Sequence, residues 1–239
     1  MWSNAKRPWR IRRVLFLCVV LVALDGCASS QGLSRDSLHD VILQEESRFL
    51  DTPQAAAIPA LRSAPTLGLY FKPTGFLHRA FEWTSRDRDA VLAWSQGLPL
   101  GGGRSAGFLT LSSLRHHTLT ELRATAARYG VDWVLIFDGA AAVDRYNNYK
   151  APLLYWTIVG AYLADGTHSD ALCVLKTTLW DVKSGARLLE EQAEAETKAV
   201  GPAALVDDKE QVERARTKAM NVLLERLTDR FATVLGTRQ

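Results

Sequence analysis

Cysteine is scarce in this chain. Its 239 residues include three, Cys18, Cys27 and Cys173, too few and too far apart for the disulfide frameworks that staple small exported domains. Catalytic signatures are missing as well. There is no G-x-S-x-G elbow and no H-E-x-x-H helix, and Gly101-Gly102-Gly103-Arg104 lacks the Gly-Lys-Ser/Thr that completes a phosphate loop, so it reads as a flexible turn. Charge of one sign is also lacking. The formal net charge is +3, but five Lys/Arg and one acid fall in the first 26 residues, which leaves 24 basic against 25 acidic residues. That balance excludes the basic footprint of a nucleic-acid binder. The sequence contains no internal repeat.

The N-terminus carries the most specific pattern. Lys6, Arg7, Arg10, Arg12 and Arg13 precede an apolar run of eleven residues, Val14 to Leu24, and small residues follow. At ~1.5 Å per residue such a run is far shorter than a ~30 Å hydrocarbon core, so it reads as a secretory signal rather than a membrane span. Leu24-Asp25-Gly26-Cys27 at its end resembles the lipobox of bacterial lipoproteins, with Asp25 standing where that motif usually has a small or apolar residue. The resemblance implies cleavage between Gly26 and Cys27, a diacylglyceryl group on the Cys27 thiol and an acylated α-amine. Ala28 rather than Asp after the cysteine implies the outer membrane, periplasmic face, over inner-membrane retention. A plain secretory cut near Ala28 would instead release a soluble periplasmic protein. Cys18 leaves with the signal and Cys27 is acylated, so Cys173 stands alone and the domain must rest on its core.

The expected organisation is a signal peptide (1–26), a tether with a short helix (27–65) and a periplasmic α/β domain (66–239). Ser34 to Ser37 can cap a helix running to Leu50, and Pro53, Ala55 to Ala57, Pro59 and Pro65 read as linker. Strands are expected at 66–72, 107–114, 131–137, 155–163, 172–181 and 186–196. Helices are expected at 87–96, with Ala90, Val91 and Trp94 on one face, and from Thr118, whose spacing to Glu121 is that of a capping box, to Gly130. Asp144 to Lys150 reads as a polar loop and Asp181 to Gly185 as a hairpin turn into an edge strand. The longest helix spans Asp207 to Leu235, with Val212, Ala219, Leu223, Leu227, Phe231 and Val234 in one stripe. Together these give a single mixed sheet of about five to six strands, packed by two or three helices and ending in a long one.

The segment from Leu122 to Glu196 resembles a known group. A helix, then RYGVDWVLIFDG, then paired strands around TTLWDVKSGARLLEEQAEAE is similar to the periplasmic α/β domain shared by the TolB N-terminal domain, CsgG and LpoB. Val131 to Asp138 and Asp181 to Gly185 occupy that group's strand and turn positions. The stretch YWTIVGAYL is similar to the rhombotarget lipoproteins, whose Gly-Gly sorting tail has no counterpart in Gly236-Thr237-Arg238-Gln239. The resemblance implies a non-catalytic role, binding or regulating envelope or cell-wall proteins from a membrane tether.

Two other readings draw on other parts of the sequence. One is an exported metal-dependent enzyme using His116 and His117, joined by His168 and Asp170. Adjacent histidines on an extended chain point to opposite sides and chelate one ion poorly, so solvated loop histidines are the simpler assignment and no metal or cofactor is called for. The other is a ring-forming secretion component of CsgG type, which needs long alternating hairpins. Cys173 between Leu172 and Val174 reads as a buried inert thiol, and Asp132, Asp138 and Asp181 as residues that bound strands and turns.

Overall fold

The computed structural model describes residues 30–51, 65–73, 81–98, 100, 105–108, 118–148, 162–163 and 165–236. The expected mixed α/β class is observed. The described elements, in chain order, are α1 (Arg35–Phe49), β1 (Leu67–Phe71), α2 (Ser85–Gln96), β2 (Ser105–Phe108), α3 (Leu119–Arg128), β3 (Trp133–Asn147), β4 (Thr167–Asp181), β5 (Arg187–Gly201) and α4 (Asp208–Gly236). The strands form one sheet in the order β2-β1-β3-β4-β5. β1 runs parallel to β2 and to β3, with Leu67 opposite Trp133 and Phe71 opposite Phe137. β4 and β5 are neighbours joined by a short turn and are therefore antiparallel.

The described residues divide into two compact units. The larger takes in Ser34–Ala142, Ala171–Thr197 and Val212–Gln239, and the smaller Val143–Asp170, Lys198–Gln211 and the segment that ends at Leu33.

In the larger unit the alternation of side chains along each strand builds two different layers. Odd-numbered residues of β1 and β3 face an aromatic layer. Phe71 stacks on Phe137 at 4.9 Å, Trp83 meets Phe71 edge-on at 4.8 Å, and Phe81 meets Trp83 at 4.7 Å. Helix α4 belongs to this layer: Ala215, Ala219, Leu223, Leu227 and Phe231 are wholly buried, and Phe231 packs against Trp94 of α2. Gly139 is required here, because a Cβ would sit 2.5 Å from the Phe81 ring and 2.8 Å from Leu175. Even-numbered residues face the second layer, where Tyr70, Val134, Ile136 and Trp180 form a cluster with Phe49 of α1 and Leu119, Leu122 and Ala126 of α3.

Local chemistry sets the ends of these elements. Ser34 caps α1 by accepting from Ser37 N–H. Thr84 with Asp87, and Thr118 with Glu121, complete both halves of a capping box at α2 and α3. Gly130, just past α3, takes φ +68°, which suits glycine. At the β4–β5 turn the Asp181 carboxylate accepts from the N–H and hydroxyl of Ser184, and Gly185 takes φ +73°.

The helix expected to start at Ser34 to Ser37 and run to Leu50 is α1, and its Leu38, Ile42 and Phe49 are buried. Elsewhere the structure departs from expectation. In α2 the buried residues are Asp87, Val91 and Ser95; Ala90 is exposed, because helical spacing from Val91 selects i±4 rather than the preceding residue. β3 does not stop at Phe137 but runs on to Asn147, so Asp144 to Asn147 is strand, not loop. Pairing to β4 overrides the weak strand propensity of Gly139-Ala140-Ala141-Ala142 and the polar residues after it. Tyr162 and Leu163, expected in a strand, are helical. The rest of that strand (155–161), residues 109–114 of the second expected strand, the linker from residue 52 to 64 and most of the glycine loop lie outside the described residues.

Candidate functional site

Helix α1 carries only a thin apolar stripe, and Glu46 lies within it, four residues after Ile42 and three before Phe49. Beneath it, Lys176 interrupts the apolar run of β4. The two meet: Lys176 Nζ lies 2.6 Å from Glu46 and 2.8 Å from Glu190 of β5, and Arg187 bonds Glu46 at 3.2 Å and also pairs with Glu190. A second pair sits beside it. Lys72, just past β1, holds Asp138 of β3 at 2.7 Å and lies over the Phe49 ring. Asp138 is therefore not a strand-end residue, as expected from sequence, but a mid-strand partner in an ion pair, and it also accepts from Gly139 N–H.

Burial and pairing compete over the proton affinities here. Burial pushes the Asp138 carboxyl up, and the charge and hydrogen bond of Lys72 only partly offset that. Burial pulls Lys176 down, but hydrogen bonds and charge from Glu190 and Glu46 outweigh it, and the ammonium is held above its ordinary range. A permanently charged Lys176 is neither base nor nucleophile at neutral pH. The cleft between these pairs, lined also by Leu50, Ile136, Thr178 and Trp180, has a volume of 20 Å³. That is about one water, with no room for an organic substrate. What this arrangement does is mechanical: Lys176 and Arg187 clamp α1 to the sheet through Glu46, while Lys72 with Asp138 ties the end of β1 to β3 beneath Phe49.

A larger trough of 740 Å³ opens beside α3, lined by Thr120, Arg123, Ala124, Ala127, Asp132 and Lys183 among others. Its acids hold backbone. Asp132 accepts from Thr66 N–H at 3.0 Å, and Asp181 closes the hairpin turn, so both take the structural roles expected of them. Arg123 reaches the Val182 and Lys183 carbonyls at 3.0 and 3.1 Å and ties α3 to that turn. Cys173 is buried and free, and burial pushes its thiol up to about 12, so it stays protonated and inert.

In the smaller unit the chain ahead of α1 is held by one carboxylate. Asp144 accepts from Ser30 Oγ at 2.5 Å, from Gly32 N–H at 2.9 Å and from Gln31 N–H at 3.4 Å, and these bonds, led by that from Ser30, hold its carboxyl below the usual range. Arg145 bonds Asp208 and the carbonyls of Ala203 and Val206, and Ser169 also donates to Asp208. His168 stacks flat on Tyr146 with ring centroids 4.8 Å apart, while Tyr146 donates to Asp170. Among the described residues no three His, Cys, Asp or Glu side chains converge as metal ligands. His116 and His117 lie outside the described residues, as do Leu24, Asp25, Gly26 and Cys27. Among the described residues no helix is long and apolar enough to cross a membrane.

Sequence reading missed the Lys176–Glu46 and Lys72–Asp138 clamps. The signal was present: a charged residue inside an apolar stripe implies a buried partner.

No protein-family model matches the chain, and no curated protein matches it. Solved structures similar to it include a protein from Helicobacter pylori provisionally named as a neuraminyllactose-binding hemagglutinin homolog, at 12% identity and TM-score 0.40, covering 72% of this chain and 90% of that one. Another is the minor lipoprotein of Acinetobacter baumannii, at 11% identity and TM-score 0.36, covering 73% and 94%. A third is uncharacterized lipoprotein B of Nitrosomonas europaea, at 11% identity and TM-score 0.25, covering 75% and 88%.

Proposed function

We propose that this chain is an exported lipoprotein, anchored through acylated Cys27 to the periplasmic face of the outer membrane, whose α/β domain binds another envelope protein rather than turning over a substrate. The observation that carries the reading is Leu24-Asp25-Gly26-Cys27 at the end of an eleven-residue apolar run with a basic start. Two or three acyl chains on one cysteine give stable anchoring where a single chain does not. The binding role is supported by the use of the clustered charges as clamps on α1, by the inert Cys173 and by the open trough beside α3. The resemblance to the TolB, CsgG and LpoB group points the same way.

The test is intact mass and membrane fractionation of wild type beside Cys27→Ala. The expected wild-type mass is that of a chain beginning at Cys27 plus acyl groups, with the variant lost from membranes; an unacylated, soluble wild type overturns the anchor. A photo-crosslinker at Ala127 in the trough tests the binding role in intact cells. One discrete heavier species is expected, and its absence at every trough position removes that surface from consideration.

A further inference from the structure

The distance between anchor and domain is short. Cys27 precedes Ser30 by three residues, and an extended chain covers at most ~3.6 Å per residue, so an acylated Cys27 lies within about 11 Å of Ser30. Ser30 and Gly32 are fixed to Asp144. The proline- and alanine-containing sequence from Pro53 to Pro65 follows α1, so it does not lie between Cys27 and the domain.

Asp144 lies near the end of β3, and that end is also where β4 begins and β5 finishes. Asn148 N–H bonds Gly166 at 2.8 Å and Thr167 bonds Asn147 at 2.8 Å, which places the end of β3 beside the start of β4. β4 and β5 are fifteen residues each with a tight turn between them, so Gly201 returns to the level of Thr167. Four of the large apolar side chains left in solvent flank these strand ends: Tyr162 (55% exposed), Leu163 (76%), Val200 (56%) and Leu205 (67%). The sequence from Ala151 to Ala164, which connects β3 to β4, contains no charged residue. Exposed charge around them is mixed in sign, Lys198 and Lys209 against Asp165 and Asp207, which does not make an anionic-lipid site.

We infer that this end of the sheet rests on the bilayer surface, with Tyr162, Leu163, Val200 and Leu205 entering the interfacial layer beside the acyl anchor and Asp144 holding the chain so that they reach it. Aromatic and aliphatic side chains favour that layer, and their contribution there is apolar rather than electrostatic. The inference rests on the proposed acylation of Cys27.

The test uses the full acylated chain on phosphatidylcholine vesicles containing a nitroxide-labelled lipid. A bimane probe is placed on Leu163→Cys, Leu205→Cys or, as reference, Tyr129→Cys at the exposed end of α3; buried Cys173 does not compete for label. Lipid quenching at 163 and 205 is expected to exceed that at 129 at least twofold, and to be unchanged when phosphatidylglycerol is added. Asp144→Asn, with vesicle flotation retained, is expected to lower quenching at 163 and 205 toward the reference. Equal quenching at all three positions in protein that floats overturns the inference while leaving the anchor intact. Copy-to-copy cross-linking through Leu205→Cys without lipid quenching overturns it in favour of a second copy as occupant. A chain that carries no acyl mass and does not float removes the anchor and this inference together.

Discussion

The two faces of the sheet in the larger unit come from the same strands, yet they are sealed in different proportions. One is largely dry. Phe71, Phe81, Trp83 and Phe137 interlock, α4 adds a continuous buried stripe from Ala215 to Phe231, and a single buried ion pair, Arg216 with Asp87 at 3.1 Å, ties α4 to α2. The other is covered by α3 and by α1, and under α1 ion pairs join the apolar contact of Phe49: Lys72 with Asp138, and Lys176 with Glu46 and Glu190. Apolar packing tolerates small shifts because each contact is weak and non-directional, whereas a buried ion pair holds one geometry and is costly when half of it is removed. The dry face therefore supplies stability, and the ionic face fixes where α1 sits.

The contrast can be broken from the dry side first. Phe231→Ala removes a wholly buried ring between α4 and Trp94 and is expected to destabilise by about 4 kcal/mol, read by urea denaturation. On the ionic face Lys176→Met leaves Glu46 and Glu190 without their ammonium partner, and a loss of about 3 kcal/mol is expected at neutral pH. The pH dependence sharpens this. The folded-state value for Lys176 lies above its ordinary one, so its contribution is full below about 10.4 and is lost as pH rises through the folded value. The gap between wild type and Lys176→Met should accordingly narrow in strong alkali. Asp138 behaves differently. Burial raises its folded-state value, so it favours the fold below about 4 and that contribution is lost as pH rises through the raised value. Replacing the whole pair, Lys72→Met with Asp138→Leu, is then the smallest change, within about 1 kcal/mol of wild type, while Lys72→Met alone costs more than the double substitution. A double variant as unstable as the single would show that the pair itself holds α1 down.

Much of this architecture was legible in the residues. Thr118 with Glu121 announced α3, Asp181 through Gly185 announced the hairpin, and the spacing of Leu223, Leu227 and Phe231 announced the buried stripe of α4, because each is a local rule with one dominant cause. The length of β3 was not legible. Its second half, from Gly139 to Asn147, is strand because of what lies beside it, and its glycine is explained only by the Phe81 ring from a distant part of the chain. The ionic clamps escaped for the same reason. Glu46 and Lys176 are 130 positions apart in sequence, and although each interrupts an apolar stripe and so calls for a partner, nothing local says which residue that partner is. Sequence patterns also led to His116, His117 and His168; of these His168 is described, and it is a stacking partner of Tyr146.

The hold of Asp144 on Ser30, Gln31 and Gly32 has a mechanical consequence. Tension entering the chain ahead of Ser30 meets one carboxylate before it meets any helix, and only past Leu33 does it load the row Leu38, Ile42, Glu46 and Phe49. The two holds are in series, and the first is three hydrogen bonds that re-form on release. Under a brief pull the domain would let out a few residues of chain and take them back, and α1 would keep its seat on the sheet.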